Sequence, residues 1–384
     1  MSHRLPPSPP RWRVGNSLRH WLGFAPPRRT IILIALLALG RTSAPAAEPG
    51  GTAPPRAVSP FDAEQAQKHQ QAWAHYMGEP VQEINSIGLA LVLIPAGEFD
   101  MGSTPEQVAF ALEWLKTVPR PAPGEDRRIR EQEAPQHRVV LTRPYRIGRT
   151  EITVGHYRQF VAATQYVTEV ERFGGGNSGK TDESDPRKKN VLWHSPGYPT
   201  TDQSPVTQLT WNDMIAFCNW LNAKEGRAAC YQRDDQGGWH RVPEAMGYRM
   251  PTEAEWEFAC RAGTTTHFSF GDDVRALDDH AWFNRTAETK TERGARPVAT
   301  KRPNPFGLYD MHGNAWERCE DFFNPDGYGA APRADPVGPA NGTHRMVRGG
   351  GWHYFDLHAR SAYRNNYGPN FRSAGAGFRI VEQL

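Results

Sequence analysis

Between Gly349 and Asn366 the sequence reads GGGWHYFDLHARSAYRNN, a run denser in chemically useful side chains than a plain core segment. His353 and His358, with Tyr354 and Asp356 between them and His344 upstream, make a nitrogen and oxygen ligand set of the kind that suits iron or zinc. His353, Tyr354 and His358 are therefore the candidate catalytic residues. Histidines close in sequence on an irregular loop are also commonly solvated or hydrogen-bonded, and that reading stays open. Arg360, Arg364 and Asn365, with Trp352 and the flanking Tyr363 and Tyr367, are candidates to line a groove for an anionic or peptide ligand, because guanidinium forks pair with carboxylates. Equally, the arginines could form internal ion pairs that lock a strand-poor fold. A second dense stretch, PNPFGLYDMHGNAWERCEDFF from Pro303 to Phe323, mixes glycine turns with aromatics and carboxylates. Polar, glycine-rich backbone of this type belongs at a surface, since burial would leave its amides unsatisfied.

The elements that must position these loops can be read from periodicity and punctuation. Asp62 to Met77 has helical character, with Ala66, Trp73 and Met77 on one face. His69 and His75, six apart, do not share a face and are read as solvated. LALVLIPAGEFDMGS predicts an apolar strand broken at Pro95, and Thr104-Pro105-Glu106 starts a helix. Two short strands are expected around Pro144, and Thr153 caps a helix carrying Tyr157, Phe160 and Val161. Thr210 caps Trp211 to Ala223, and Thr252 with Glu255 forms a capping box whose helix ends at Gly263. Residues 171 to 204 and Arg227 to Gly247 are polar and read as loops. GGGNSGK, within the first, lacks phosphate-loop spacing and opens no helix.

Twelve tryptophans with 36 glycines and 33 prolines point to a loop-rich globular protein. Residues 1–47 differ from the rest: arginines precede an apolar run from Ile31 to Leu39, followed by an Ala44-x-Ala46 cleavage signal. They are read as a signal peptide, and Arg28-Arg29 admits twin-arginine as well as Sec export. Residues 48–86 are read as a linker with a short helix, and 87–384 as one domain. Loss of seven arginines with the signal takes the 45 basic residues to 38 against 42 acidic, a net charge of −4. That balance leaves no electrostatic footprint for nucleic acid. Cys218, Cys230, Cys260 and Cys319 permit three disulfide pairings, although Cys218 and Cys260 lie at apolar helical positions that suit buried thiols.

LVLIPAGEFDMGS, PYRIGRTEITVGHYRQFV, PVTQLTWNDMIAFCNWLN, YRMPTEAEWEFACRAGTT, NPFGLYDMHGNAWE, RMVRGGGW and GFRIV together resemble, in order, the motifs of the formylglycine-generating enzyme or sulfatase-modifying-factor family. The resemblance covers roughly residues 88 to 381. It implies an α+β, C-type-lectin-like fold in a single domain with much irregular structure. It also implies a calcium site at Asp310, Gly313, Ala315 and Glu317, an all-oxygen set that a hard cation prefers, while a glycine turn whose carboxylates cap local amides or pair with arginines such as Arg379 stays open as the alternative. Members that oxidise cysteine to formylglycine bind copper(I) through a cysteine pair after a Gly-Gly-Ser motif, soft sulfur being suited to Cu(I). Here Tyr354 and Ala359 fall near those places and Gly351 replaces the serine, so copper is not expected. Related sulfoxide synthases carry iron on an H-x3-H-x-E element that is absent here.

The resemblance thus points to an exported sulfatase-modifying-factor-like protein, a periplasmic or secreted maturation or accessory factor. Its expected activity is that of an oxidoreductase acting on an exported protein or a peptide-derived substrate, with calcium and, if the histidines ligate, iron or another transition metal. A non-catalytic lectin-like binding module is the alternative, and a true formylglycine-generating oxidase is disfavoured by the missing thiols. Membrane contact is expected only through an uncleaved signal segment. Intact-mass measurement of exported protein should give a chain that begins at Ala47.

Overall fold

The computed structural model describes residues 51–173, 191–235, 238–287 and 293–384. The stretch read as a signal peptide, GGGNSGK and DESDPRKKN lie outside the described residues. The largest sheet has five antiparallel strands in the order Gln82–Ile84, Ala90–Ile94, Tyr145–Gly148, Val381–Gln383 and Tyr248–Arg249. A four-stranded sheet joins Ala57–Val58, Gly97–Met101, His137–Leu141 and Arg333–Ala334. Another joins Asn365–Tyr367, Arg345–Arg348, Trp316–Phe322 and Ala376–Gly377.

Proline punctuation explains how the chain changes sheets. Pro95 has no amide hydrogen to give a ladder, and the apolar run divides there into Ala90–Ile94 and Gly97–Met101, which lie in different sheets. Around Pro144 the strands His137–Leu141 and Tyr145–Gly148 separate in the same way. The segment expected to be a loop from Arg227 to Gly247 instead contains a hairpin, Tyr231–Arg233 with Trp239–Arg241. Its aromatic residues favour a pleated, half-buried surface and outweigh the polar composition around them.

The capping predictions have direct counterparts. Thr153, Thr210 and Thr252 each accept the N3 amide of the helices Val154–Thr164, Trp211–Lys224 and Glu253–Arg261. Asp62 caps Ala63–Met77, which buries Ala66 and Trp73, while Met77 is partly covered. His75 is exposed as expected, but His69 is half-buried with its ring 5.3 Å from that of Phe61. The last helix ends at Arg261, slightly before the expected Gly263, because Ala262 already adopts the left-handed conformation with φ 47°. All four cysteines are buried free thiols.

Every residue of Glu253–Arg261 is buried, although four of the nine, Glu253, Glu255, Glu257 and Arg261, are charged. Each glutamate meets a guanidinium. Glu253 takes Arg364 Nε and Nη2 at 2.6 and 2.8 Å. Glu255 takes Arg249 Nη1 and Nη2 at 2.7 and 2.6 Å. Glu257 accepts from Arg261 Nε at 2.9 Å, from the Gly102 amide at 2.9 Å and from Arg348. Burial alone would raise the Glu253 carboxyl, yet Arg364 and Arg348 hold it below its ordinary value. Removing one partner of such a pair strands a buried charge at a cost of about 3–5 kcal/mol. Glu257→Ala should therefore lower unfolding free energy by about that amount, measured by urea denaturation.

Candidate functional site

The strand Arg345–Arg348 delivers the chain into Gly349-Gly350-Gly351, the start of the loop that carries the candidate catalytic residues. Gly349 and Gly350 have φ of 93° and 81°, a region that non-glycine residues rarely occupy. Gly351 is tightly packed: a Cβ there would stand 3.0 Å from Cδ1 of Trp316 and 3.2 Å from the Gly375 carbonyl oxygen, so a serine at this motif position would need its neighbours to give by a few tenths of an ångström.

The loop then builds an aromatic wall. Trp352 donates from Nε1 to the Ala374 carbonyl at 3.0 Å, and its ring meets Tyr198 at 5.5 Å. His353 is half-buried, with ring centroids 4.7 Å from Trp352 and 4.5 Å from Tyr354. Its Nδ1 is sealed from water without a partner. Tyr354 shares a hydroxyl contact of 3.2 Å with Tyr367 and sets its ring edge-on to Trp316 at 5.1 Å. His358 turns elsewhere: Nδ1 lies 3.2 Å from the Phe355 carbonyl and Nε2 lies 3.4 Å from Glu125. Both ring nitrogens of His358 therefore have protein partners.

The metal set expected around the two histidines is not assembled. Among the described residues no group of three or more His, Cys, Asp or Glu side chains is placed to hold a metal ion. His344 is exposed beside Thr343, and Asp356 accepts from the Leu357 amide at 2.8 Å. Local backbone and carboxylate groups take up His358 and Asp356, and His353 packs between Trp352 and Tyr354 instead of turning toward them.

The two arginines adopt the internal-pair geometry. Arg360 is fully buried and forks onto Glu133 at 2.8 and 2.7 Å, while Arg364 forks onto Glu253 and donates to the Gln132 carbonyl at 2.8 Å. Neither fork faces solvent, so a ligand reaching Arg360 would have to displace Glu133. Asn365 is buried in its strand, its side-chain oxygen accepting from the Asn366 amide at 2.9 Å.

The glycine turn read as a calcium loop is a buried charge cluster. Glu317 has both oxygens engaged, by Arg379 at 2.5 and 2.6 Å and by Trp256 Nε1 at 2.6 Å. Asp310 is different: Oδ2 accepts from the Ala299 amide at 2.8 Å, but Oδ1 is buried without a partner. Burial pushes its carboxyl up to about 6. Gly313 and Ala315 are buried in the same turn. Sequence reasoning overlooked Glu151, which is fully buried with neither carboxylate oxygen bonded. Burial, then Asp310 and Glu317 nearby, push its carboxyl well above the ordinary range. An acid wedged between Thr150 and the apolar Ile152 was the signal that could have found it. Of the expected ligands, Asp310 has an oxygen to give and Glu317 does not.

Residues 78–384 match the Sulfatase-modifying factor enzyme 1-like domain. The chain belongs to this family. It is 30% identical over 321 residues to the formylglycine-generating enzyme of Streptomyces coelicolor, an alignment covering 76% of this chain and 88% of that one. Among solved structures it is similar to Treponema denticola variable protein 1, with a TM-score of 0.58 and 24% identity over 79% of this chain and all of the other. It is also similar to PvdO from Pseudomonas aeruginosa, with a TM-score of 0.56 and 23% identity over 79% of this chain and 97% of the other. Those two likenesses establish the α+β fold of the formylglycine-generating enzyme type.

In this sulfatase-modifying-factor chain the two positions that the resemblance assigns to copper ligands hold Tyr354 and Ala359, and neither supplies sulfur. The four thiols lie elsewhere in the interior, where burial pushes Cys260 up to about 12 and raises Cys218, Cys230 and Cys319 as well. The donor set does not fit copper(I). What remains at the loop is an aromatic surface with one unsatisfied imidazole.

Burial pushes His353 down to about 4 from an ordinary 6.5. The unfolded chain takes up that proton near pH 6.5 and the folded chain only near 4, so the stability associated with neutral His353 is lost as the pH falls through that window. His353→Phe should therefore gain stability relative to the wild-type chain between pH 6.5 and 4, read from paired urea midpoints across that range.

Proposed function

We propose that this chain is an exported maturation or accessory factor of the sulfatase-modifying-factor family, periplasmic or secreted, that engages a protein or peptide-derived substrate on the aromatic loop Gly351–His358 and does not use thiolate–copper oxidation. The observation that carries this reading is the pair Tyr354 and Ala359 standing where the copper thiolates would be, with every cysteine buried elsewhere. His353 and Tyr354, partly exposed and backed by the buried Trp352, give that loop rigid rings and a polar edge, the combination that binds extended polypeptide at low entropic cost.

Calcium belongs to the same proposal at the Asp310 turn. When bound there it supplies the positive charge that the buried Asp310 and Glu151 carboxylates lack, since Arg379 is already matched by Glu317. Asp310, with the Gly313 and Ala315 carbonyls, would hold it, and Glu317 would stay with Arg379.

Elemental analysis of the purified domain, together with oxygen uptake in the presence of a cysteine peptide and copper(I), tests both parts. The expected result is calcium in the wild-type chain, lost in Asp310→Ala and kept in His353→Ala, with no aldehyde formed. Iron or copper that disappears in His353→Ala, or aldehyde on the peptide, would make the loop a redox centre and overturn the reading.

A further inference from the structure

Gly349 leaves one end of the strand Arg345–Arg348, and Arg345 stands at the other, where it lines a cavity of about 700 Å³. That size is typical of small-molecule sites. The walls come from the hairpin Tyr231–Arg241, the first turn of the helix at Trp211, Phe322 and the proline-containing segment Pro336–Pro339.

Arg345 is held in an unusual way. Its guanidinium carbon lies 3.8 Å from the Trp211 ring centroid and 3.4 Å from that of Phe322, so the plane is clamped between two aromatic faces. It is only 8% exposed and donates one hydrogen bond, from Nη1 to the Glu320 carbonyl oxygen at 2.5 Å. No carboxylate pairs with it among the described residues. The Nε atoms of Arg241 and Arg249 are sealed in without partners, but no Arg345 donor is. Its Nε and Nη2 therefore open on the cavity it lines.

The other arginines around this cavity are matched. Arg241 pairs with Glu320 at 3.1 Å, Arg249 with Glu255 at 2.6 Å, and Arg143 with Glu244 at 3.3 Å. Asp335 is exposed at the rim and accepts from the Thr142 amide and hydroxyl at 2.8 and 2.5 Å. One buried, pre-aligned cation is left over. The remaining surface is apolar: Trp211 and Tyr231 form a buried edge-to-face pair at 6.0 Å, and the lip exposes Met246 and Val337. Burial pushes Arg345 down to about 10, consistent with a cation that lacks a counter-charge.

From this juxtaposition we infer that the cavity is a binding site for a carboxylate carried on an apolar, ring-sized body, with the Arg345 fork receiving the carboxylate and Trp211, Phe322, Tyr231 and Trp239 enclosing the body. The site is separate from the loop Gly351–His358 and stands whether or not that loop binds substrate. Its ligand chemistry has two sources, a free organic acid or the terminal carboxylate of a peptide ending in an aromatic residue.

Calorimetric titration of the whole domain with 3-phenylpropionate, with 3-phenylpropionamide, and with N-acetyl-Gly-Gly-Phe as acid and as amide tests this. The acid form of at least one pair should bind, and at least tenfold more tightly than its amide. The more effective acid identifies the source. Arg345→Gln should abolish the acid preference. Val337→Glu, at a position 62% exposed and so safe for folding, should weaken the acid more than the amide by placing a like charge at the lip. No acid binding at millimolar concentration, equal binding of acid and amide, or an acid preference unchanged in folded Arg345→Gln or in Val337→Glu would overturn the assignment.

Discussion

A carboxylate that is taken out of water must find a cation, and this fold takes several out of water together. Glu253 and Glu257, four positions apart, leave one face of a short helix where Arg348 reaches both, and Glu255 between them leaves another. Four arginines answer them: Arg364 and Arg348 from a segment about a hundred residues away, Arg249 from the strand just before the helix and Arg261 from the helix itself. Arg379 and Glu317 tie a further segment to the same neighbourhood through Trp256. Directional forks thus add to the apolar clusters that already join distant segments. Replacing such pairs with apolar residues is often neutral for stability. Their value here lies in specifying which loop lies beside which.

This constraint explains how long irregular segments hold one shape. The loop after Arg348 has little ladder of its own, yet Arg348 donates to the carbonyls of Ser361, Ala362 and Tyr363, and Arg360 binds Glu133 from a distant segment. Trp352, His353 and Tyr354 are thereby presented on a frame set from beneath. At the other end of the same strand Arg345 has no acid to answer, and a cavity stands there instead. One strand thus separates a matched charge network from an unmatched cation.

Much of the architecture was legible in the sequence because it rests on local rules. Pro95 and Pro144 mark where strands part, and Thr153, Thr210 and Thr252 announce their helices through one hydroxyl each. The ordered motif blocks identified the family and its fold. The sites were harder, since partner choice is not local. Arg360 reads equally well as ligand-binding or structural until Glu133, more than 200 positions away, is seen beside it. His353 and His358 look like a ligand pair in one dimension, but a carbonyl and Glu125 reach His358 first. Glu151 was overlooked because its apolar neighbour Ile152 hints at burial, but only the tertiary structure shows that both its oxygens are left without donors. The hairpin at Tyr231 was hidden by the polar residues around it.

The strand Val381–Gln383 lies inside the five-stranded sheet, between Tyr145–Gly148 and Tyr248–Arg249. Its neighbours on either side are joined to it only through segments well over a hundred residues long. The sheet therefore has no local route to completion. Closing it requires distant parts of the polypeptide to meet, which makes the search slow relative to hairpin-built sheets and exposes unpaired strand edges meanwhile. Until Val381 docks, the edge of Tyr145–Gly148 is open to whatever strand arrives first.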